Sequence, residues 1–312
     1  MKTPLDLQAR QSDCSRSTYT TIILMVSIVV SLFIMGCNQD RVLAIREMNS
    51  GLEAYQGGNT MDGVRYLREA IKHDPNYPEP HYYLGQIYHL RLREIDNAER
   101  HYRQALELEP ENAQYAYRLG TVLAIQEKNE EAVQTFRRSV NAMPDYAQSW
   151  FRMGLAQQEI GQFTEAVDSY MKAIHAQPRL KMEPSDPGGE HYHALGDLYI
   201  RFGLFDQALK VYENGLQNNP EAPRLYHGRG VAQLQLERYD EAERSFTRTL
   251  ELDGRHNSAV FNLAVSRQAQ GKNDEAMEVL ERFLQSANRA EDQARIVAAQ
   301  GLLQQLKERR RE

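Results

Sequence analysis

Five prolines and one glycine recur at a nearly constant spacing through most of the chain: Pro75, Pro110, Pro144, Pro178, Pro220 and Gly254. By subtraction, successive positions are 35, 34, 34, 42 and 34 residues apart. A fixed period in this range is typical of a tandem repeat array. Because one repeat cannot bury its apolar face alone, the period predicts a stack of similar units that share one continuous core.

Each repeat places large and small residues in the same order ahead of its proline. The fourth copy has this set: Trp150, Met153, Gly154, Gly161, Ala166, Tyr170, Ala173 and Pro178. Apolar residues three and four apart predict two helices, and the small residues Gly154 and Ala166 predict where these helices approach most closely. Gly161 is expected to supply the turn, since glycine tolerates positive φ, and the proline ends the second helix.

This order of residues resembles the tetratricopeptide repeat, whose pattern is W-x2-L-G-x2-Y…A-x3-F…P. The resemblance covers residues 44–288 in seven in-phase copies. It implies an all-α fold, a right-handed α-solenoid of seven helix pairs. Residues 289–312 are interpreted as a C-terminal capping helix, which such arrays need for solubility. An unrelated helical bundle would not require a fixed period.

Three departures from the repeat divide the chain further. The second copy has one extra residue between Leu90 and Ile95, and the sixth ends in Gly254 instead of proline. The interval of 42 residues predicts an inserted loop at 181–188, between repeats 1–4 (44–180) and repeats 5–7 (189–288). Whether the wider insert, residues 179–191, is a hinge or a binding loop is open.

The first 36 residues are interpreted as a lipoprotein signal peptide. Lys2, Arg10 and Arg16 precede an apolar run over residues 21–36, which is shorter than the roughly 20 residues of a spanning helix. The run ends in Ile-Met-Gly-Cys, which resembles the cleavage site of bacterial lipoproteins. The resemblance implies that Cys37 carries the lipid and that residues 37–43 form a lipidated anchor and short linker. The alternative is an uncleaved signal anchor with an unmodified Cys37.

The lipoprotein interpretation predicts a location in the cell envelope. Asn38 follows the lipidated residue where an aspartate would favour the inner membrane. We therefore expect the periplasmic face of the outer membrane, although the choice between the two membranes is open.

Composition and motifs argue against several classes of function. Cys14 and Cys37 are the only cysteines, so no disulfide or thiolate metal site is predicted for the mature chain. The net charge of −6 argues against a nucleic-acid partner. Phosphate loops, nucleophile elbows and zinc-binding H-E-x-x-H motifs do not occur. The sequence thus predicts a protein that is not an enzyme, with no catalytic residues, no metal, no cofactor and no small-molecule substrate.

The resemblance also predicts where a partner binds, because the first helices of successive tetratricopeptide repeats line a concave face. One position per repeat gives what we call the groove row: Met48, Tyr82, Tyr117, Phe151, His193, His227 and Phe261. Leu155 and Asp197 lie one helical turn further on. Aromatic and aliphatic side chains at these positions predict a groove for a partner segment with apolar anchors. Alternatively, some of these rings pack between neighbouring repeats.

These patterns predict a non-catalytic scaffold or assembly factor of the bacterial cell envelope, which binds a protein partner through its concave face and the membrane through lipid at Cys37. Lipoproteins of similar layout serve type IV pilus assembly, peptidoglycan enzyme regulation and polysaccharide export. The alternatives are a periplasmic holding chaperone, a cytosolic adaptor, and a metal-dependent or hydrolytic enzyme. The enzyme would use the cluster of His193, Asp197 and His227. The partner and the oligomeric state are not fixed by the sequence.

Overall fold

A computed structural model describes residues 39–176, 189–288 and 292–310 of the chain. Every regular element in these ranges is a helix. The predicted signal peptide, Cys37 and the inserted loop at 181–188 lie outside the described residues. Among the residues that are described, no helix is long and apolar enough to cross a membrane.

The helices are numbered in chain order. The first, α1, is described over residues 39–56. The others are α2 (Thr60–His73), α3 (Pro78–Ile87), α4 (Ile95–Leu108), α5 (Ala113–Ile125), α6 (Asn129–Ala142), α7 (Ala147–Glu159), α8 (Phe163–His175), α9 (Glu190–Arg201), α10 (Phe205–Asn218), α11 (Pro223–Gln235), α12 (Tyr239–Leu252), α13 (Asn257–Ala269), α14 (Asn273–Ser286) and α15 (Gln293–Arg309).

The chain divides into two compact units, Met1–Lys128 and Asn129–Glu312. In the first unit, α2 packs on α3, α3 on α4 and α4 on α5. In the second unit, each helix from α6 to α14 packs on the helix that follows it. The helices α9, α11 and α13, each the first of its pair, also contact one another in order. The predicted all-α fold of an α-solenoid, built from successive packed helix pairs, is confirmed.

The recurring prolines mark the ends of the second helices, as the sequence predicts. The helices α2, α4, α6 and α10 each end two residues before a proline: Pro75, Pro110, Pro144 and Pro220. The residue before a proline avoids helical backbone angles, so the helix stops ahead of it. The helix α12 ends two residues before Gly254, so the sixth repeat keeps the boundary without the proline.

A left-handed residue makes the turn between the two helices of every pair. Gly161 has a φ value of 77°, which confirms its predicted role, and Gly203 has a φ value of 69° at the same place in the next repeat. Arg93, Glu127 and Glu237 occupy the same place in three other repeats, with φ values of 58°, 61° and 60°. The left-handed conformation costs a residue with a side chain about 1–2 kcal/mol, so packing on both sides must hold these three turns.

In the core, glycines on the first helices pack against large aromatic residues on the second helices. A Cβ atom at Gly154 would lie 2.6 Å from the Tyr170 ring. The Tyr212 ring lies between Gly196 and Gly228, whose Cβ atoms would come within 2.4 and 2.3 Å of it. Any larger residue would therefore push the helices apart, which explains why these small residues recur.

The extra residue of the second repeat lies in a π-helical turn, Tyr88–Leu92, which overlaps the predicted stretch. The backbone N–H of Glu94 donates to the Tyr88 carbonyl at 2.9 Å and closes the turn. At the other end of the chain, α15 packs on α14 and buries Ala299 and Leu306, while most of its other side chains are exposed. One apolar stripe and a polar outer face suit the terminal helix of an array.

Candidate functional site

Five side chains of the groove row pack on an aromatic side chain from the second helix of their own repeat. The ring-centroid distances are 6.0 Å for Tyr82–Tyr102, 5.8 Å for Phe151–Tyr170, 6.4 Å for His193–Tyr212, 5.8 Å for His227–Phe246 and 5.8 Å for Phe261–Phe283. Four of the five row side chains are half-buried, whereas Tyr82 is only 5% exposed. Each row ring therefore belongs partly to the core, and Tyr82 offers almost no surface to a partner.

Met48, Tyr117 and Leu155 of the predicted groove are also half-buried, whereas Asp197 is exposed. Met48 packs beside Ala44, Ala70 and Tyr77, and Leu155 packs on the core cluster that contains Tyr170. The Arg118 guanidinium lies 5.7 Å from the centroid of the Tyr117 ring. These side chains keep an exposed portion while the core fixes their orientation, as a preformed contact surface requires. Their role in binding stays a prediction.

In the first unit, a polar cluster borders the groove row. It consists of Tyr82, Gln86, His89, Tyr102 and Arg118. The Tyr82 hydroxyl accepts a hydrogen bond from Gln86 Nε2 at 2.8 Å and also forms one with the half-buried side chain of Arg118. Burial lowers the pKa of Arg118, but the hydrogen bond with Tyr82 and the nearby tyrosines outweigh it and raise that pKa. Arg118 therefore stays a cation at this site.

Three polar atoms of this cluster are buried and have no hydrogen-bond partner among the described residues: His89 Nδ1, the Tyr102 hydroxyl oxygen and Arg118 Nε. The His89 ring stands edge-on to the Tyr102 ring, with centroids 6.4 Å apart. Burial, and next the charge of Arg118, lower the pKa of His89 and favour its neutral form. A buried donor without a partner costs about 1–3 kcal/mol, so an acceptor oxygen reaching these atoms would be bound favourably.

Only part of this cluster could be found from the sequence. Its first-helix members are one helical turn apart and so share the face of Tyr82. Tyr102 has the appearance of an ordinary core residue, because five of the seven second helices carry a large aromatic side chain at that place and the other two carry leucine. Arg118 follows Tyr117 directly, and its proximity to the side chains of α3 and α4 depends on tertiary packing.

In the second unit, two of the predicted polar residues meet on α9. His193 Nδ1 lies 3.5 Å from Asp197 Oδ2, as expected for residues four apart on one helix face. The Tyr212 hydroxyl donates to Asp197 Oδ1 at 2.7 Å. The carboxylate is thus oriented by a core tyrosine and still half-exposed, which suits it to accept hydrogen bonds from a partner.

His227 lies deeper than the sequence suggests. Its Nε2 atom is 3.3 Å from Asn262 Nδ2, and its ring centroid is 4.6 Å from that of His256. Burial, and next the charges of His256 and His193, lower the pKa of His227 to about 3. The neutral ring acts as a hydrogen-bond acceptor for Asn262. Among the described residues, no group of three His, Cys, Asp or Glu side chains could hold a metal ion.

Comparison with known families identifies the repeat. Two family models, both described as tetratricopeptide repeat, match residues 48–91, 87–149 and 147–179. The chain belongs to the tetratricopeptide repeat family. A further model, described as the coatomer epsilon subunit, matches residues 203–301 of this repeat protein. No curated protein sequence matches the chain.

Solved structures similar to this tetratricopeptide repeat protein share its fold. A tetratricopeptide repeat protein from Parabacteroides merdae is 13% identical with a TM-score of 0.55, and the match covers 85% of this chain and 98% of that one. PilF of Pseudomonas aeruginosa is 19% identical with a TM-score of 0.55, and the match covers 72% of this chain and 96% of that one. YrrB, described as having an unusual peptide-binding site, is 19% identical with a TM-score of 0.51, over 64% of this chain and 97% of that one.

Proposed function

We propose that this tetratricopeptide repeat protein is a non-catalytic protein–protein interaction scaffold or assembly factor of the bacterial cell envelope. The observation that carries the proposal is the polar cluster of the first unit. A cation and three unpartnered polar atoms are held there beside half-buried rings on first helices. This combination fits a polypeptide segment, which offers acceptor oxygens along its backbone and apolar side chains beside them.

The chemistry of the cluster defines what it would hold. Arg118 Nε and the Tyr102 hydroxyl are donors, so the complementary group is a carbonyl or carboxylate oxygen. The half-buried Tyr117 ring, on the same helix as Arg118, would cover an apolar side chain of the same segment. Because the core already fixes these side chains, binding would cost little additional side-chain entropy. The peptide-binding site of YrrB, a protein of the same fold, supports this type of ligand.

The lipid predicted at Cys37 would locate the scaffold at the membrane. Six residues separate Cys37 from Ala44, where the first repeat begins, and they span roughly 20 Å when fully extended. A lipidated chain would keep the repeats next to the bilayer. A partner held by the repeats would be concentrated there without any further contact.

Site-specific photo-crosslinking in cells tests this function. The photoreactive residue replaces Tyr117 or Phe151, and Arg137, which is exposed on the second helix α6, serves as the control position. We expect one dominant protein adduct from Tyr117 that is absent at Arg137 and is reduced at least fivefold by Arg118→Gln. Many adducts of unrelated envelope proteins would favour the holding chaperone instead. Equal capture at Tyr117 and Arg137 would overturn the groove as the binding surface.

A further inference from the structure

Two junctions between neighbouring repeats carry similar polar networks. In the first unit, Glu99 on α4 accepts a hydrogen bond from Lys128 Nζ at 2.8 Å, and Gln126 Nε2 donates to the neighbouring Asp96 Oδ1 at 2.8 Å. In the second unit, Glu243 on α12 accepts hydrogen bonds from Lys272 Nζ at 2.7 Å and Gln270 Nε2 at 3.0 Å. Burial raises the pKa of Glu243, but the hydrogen bonds outweigh it and lower that pKa to about 2.

The network occupies fixed positions of the repeat. The glutamate directly follows the alanine of the second helix, Ala98 or Ala242. The glutamine and the lysine precede the corresponding alanine of the next repeat, Ala132 or Ala276, by six and four residues. The same three positions can therefore be compared at every junction.

At the junction between the fourth and fifth repeats, the three positions are apolar. Counting from Ala166 and Ala208, they hold Val167, Phe202 and Leu204. The position of Leu204 is polar at each of the other five junctions: Glu94, Lys128, Gln162, Arg238 and Lys272. Leu204 is thus an apolar residue at an exposed position that is polar at the other junctions, which indicates a function other than folding.

These three apolar residues contribute to an open apolar pocket at the turns of α7–α8 and α9–α10. The turn pocket, as we call it, has a volume of about 450 Å³ and is lined by Phe163, Val167, Tyr199, Phe202 and Leu204. The Phe163 and Phe202 rings meet edge to face, with centroids 5.2 Å apart. The volume lies within the range of about 300–1,000 Å³ typical of ligand pockets.

The pocket walls are exposed to an extent that folding alone does not favour. Phe163, Phe202 and Leu204 are 37%, 49% and 40% exposed. Single exposed apolar residues are ordinary, but several in contact mark an interaction surface. The rigid rings of Phe163 and Phe202 present apolar area at small entropic cost, which suits them to receive an inserted side chain.

One charge lies at the pocket. Glu165 is exposed, lines the pocket and makes no ion pair with any residue that the structure describes. Thr164 and Tyr199, each of which carries a hydroxyl group, are the other polar residues of the lining. A carboxylate beside an apolar pocket favours a ligand that carries a positive charge next to its apolar group, and it opposes an anionic lipid surface.

We propose that the turn pocket binds an apolar side chain of a partner protein, in a segment that places a lysine or arginine beside that side chain to face Glu165. The pocket lies at helix-pair turns, and no residue of the groove row is among its lining residues. It would give the scaffold a second, independent contact, so that one partner could be held in the groove while another docks at the turns.

The chain itself provides a matched variant for the test. The triple variant Val167→Glu, Phe202→Gln, Leu204→Lys installs the residues of the two polar junctions, so it removes the apolar pocket in a way that the repeat already tolerates. Random heptapeptides displayed on phage are selected on the purified full chain and then depleted on the triple variant. We expect the surviving sequences to share one large apolar residue with lysine or arginine next to it.

A fluorescein-labelled synthetic copy of the most enriched heptapeptide measures the effect by fluorescence polarisation. We expect Leu204→Lys to weaken binding more than tenfold and Glu165→Gln to weaken it about two- to fivefold, the range of an exposed ion pair. Phe202→Ala, which truncates a half-exposed ring, should weaken binding without lowering the melting temperature. The proposal is overturned if the enriched peptides bind the triple variant equally well or prefer acidic neighbours. It is also overturned if the pocket mediates self-association, seen as a dimer that the triple variant abolishes.

Discussion

Single glycines set the distance between paired helices, as Gly154 shows. A Cβ atom there would lie 2.6 and 2.7 Å from Tyr170 Cε1 and Cδ1, and the Tyr170 ring is fully buried. We expect Gly154→Ala to lower the free energy of unfolding by about 1–3 kcal/mol, as overpacking does. Urea denaturation followed by circular dichroism measures this change.

Gly301 is the matched control, since it lies inside α15 and a Cβ atom there would meet nothing within 4 Å. Gly301→Ala should leave stability unchanged or raise it by up to about 1 kcal/mol through helix propensity. Equal effects of the two substitutions would show that the glycine–tyrosine contact does not limit helix packing.

The half-buried imidazole of His227 makes stability depend on pH. Its pKa is about 3 in the folded chain, against an ordinary value of 6.5. Below pH 6.5, the unfolded chain therefore binds a proton at this side chain that the folded chain does not bind. The stabilising contribution of the neutral side chain is full above pH 6.5 and is lost as pH falls towards 3. Between pH 7 and pH 5, we expect the free energy of unfolding of the unaltered chain to fall by about 2 kcal/mol more than that of the His227→Gln variant.

The measurement is the difference between urea unfolding free energies at the two pH values. His175→Gln serves as the control, because His175 is exposed on α8. A pH dependence that is identical in all three proteins would mean that the folded chain does not hold His227 neutral.

Among the elements, the helix α5, which carries Tyr117 and Arg118, is stabilised by a capping residue at its N-terminus. The Asn112 side-chain oxygen accepts hydrogen bonds from the backbone N–H groups of Gln114 at 3.1 Å and Tyr115 at 3.2 Å. Asn112→Ala should lower the free energy of unfolding by about 1 kcal/mol, and Asn112→Ser should restore most of it. Asn141→Ala, at an exposed place within α6, should change stability little. A drop of the same size for both alanine variants would argue against the cap.

Elements follow from the sequence more readily than the contacts between them. The spacing of Pro75, Pro110 and Pro220 predicts the helix ends, and glycines opposite tyrosines predict the pairing, because both follow from local geometry and volume. The polar cluster at Arg118 does not follow, since its members lie on three helices and only packing brings them together. The apolar character of Leu204 is visible in the sequence, but its significance depends on knowing which positions the other junctions keep polar.

On the scale of the whole molecule, copies of the same repeat form two kinds of surface. First helices present half-buried rings, with the polar cluster beside them in the first unit, whereas the turns of the fourth and fifth repeats present the open apolar pocket. The repeat constrains the buried positions and leaves the exposed ones free to vary. A repeat scaffold can thereby carry contacts of different chemistry without changing its fold.

The lipid at Cys37 would decide where those surfaces act. Replacing Cys37 with Ser removes the thiol that is predicted to carry the acyl chains, and each buried CH₂ of an anchor contributes about 0.8 kcal/mol of membrane affinity. We expect the unaltered protein in the membrane fraction, with a mass that exceeds the chain from Cys37 by its acyl groups. The Cys37→Ser protein should lack this added mass and keep its leader uncleaved. Cys14→Ser is the control, because Cys14 lies in the predicted leader and should affect neither property. Masses that differ only by the cysteine-to-serine change would exclude lipidation and leave the uncleaved signal anchor.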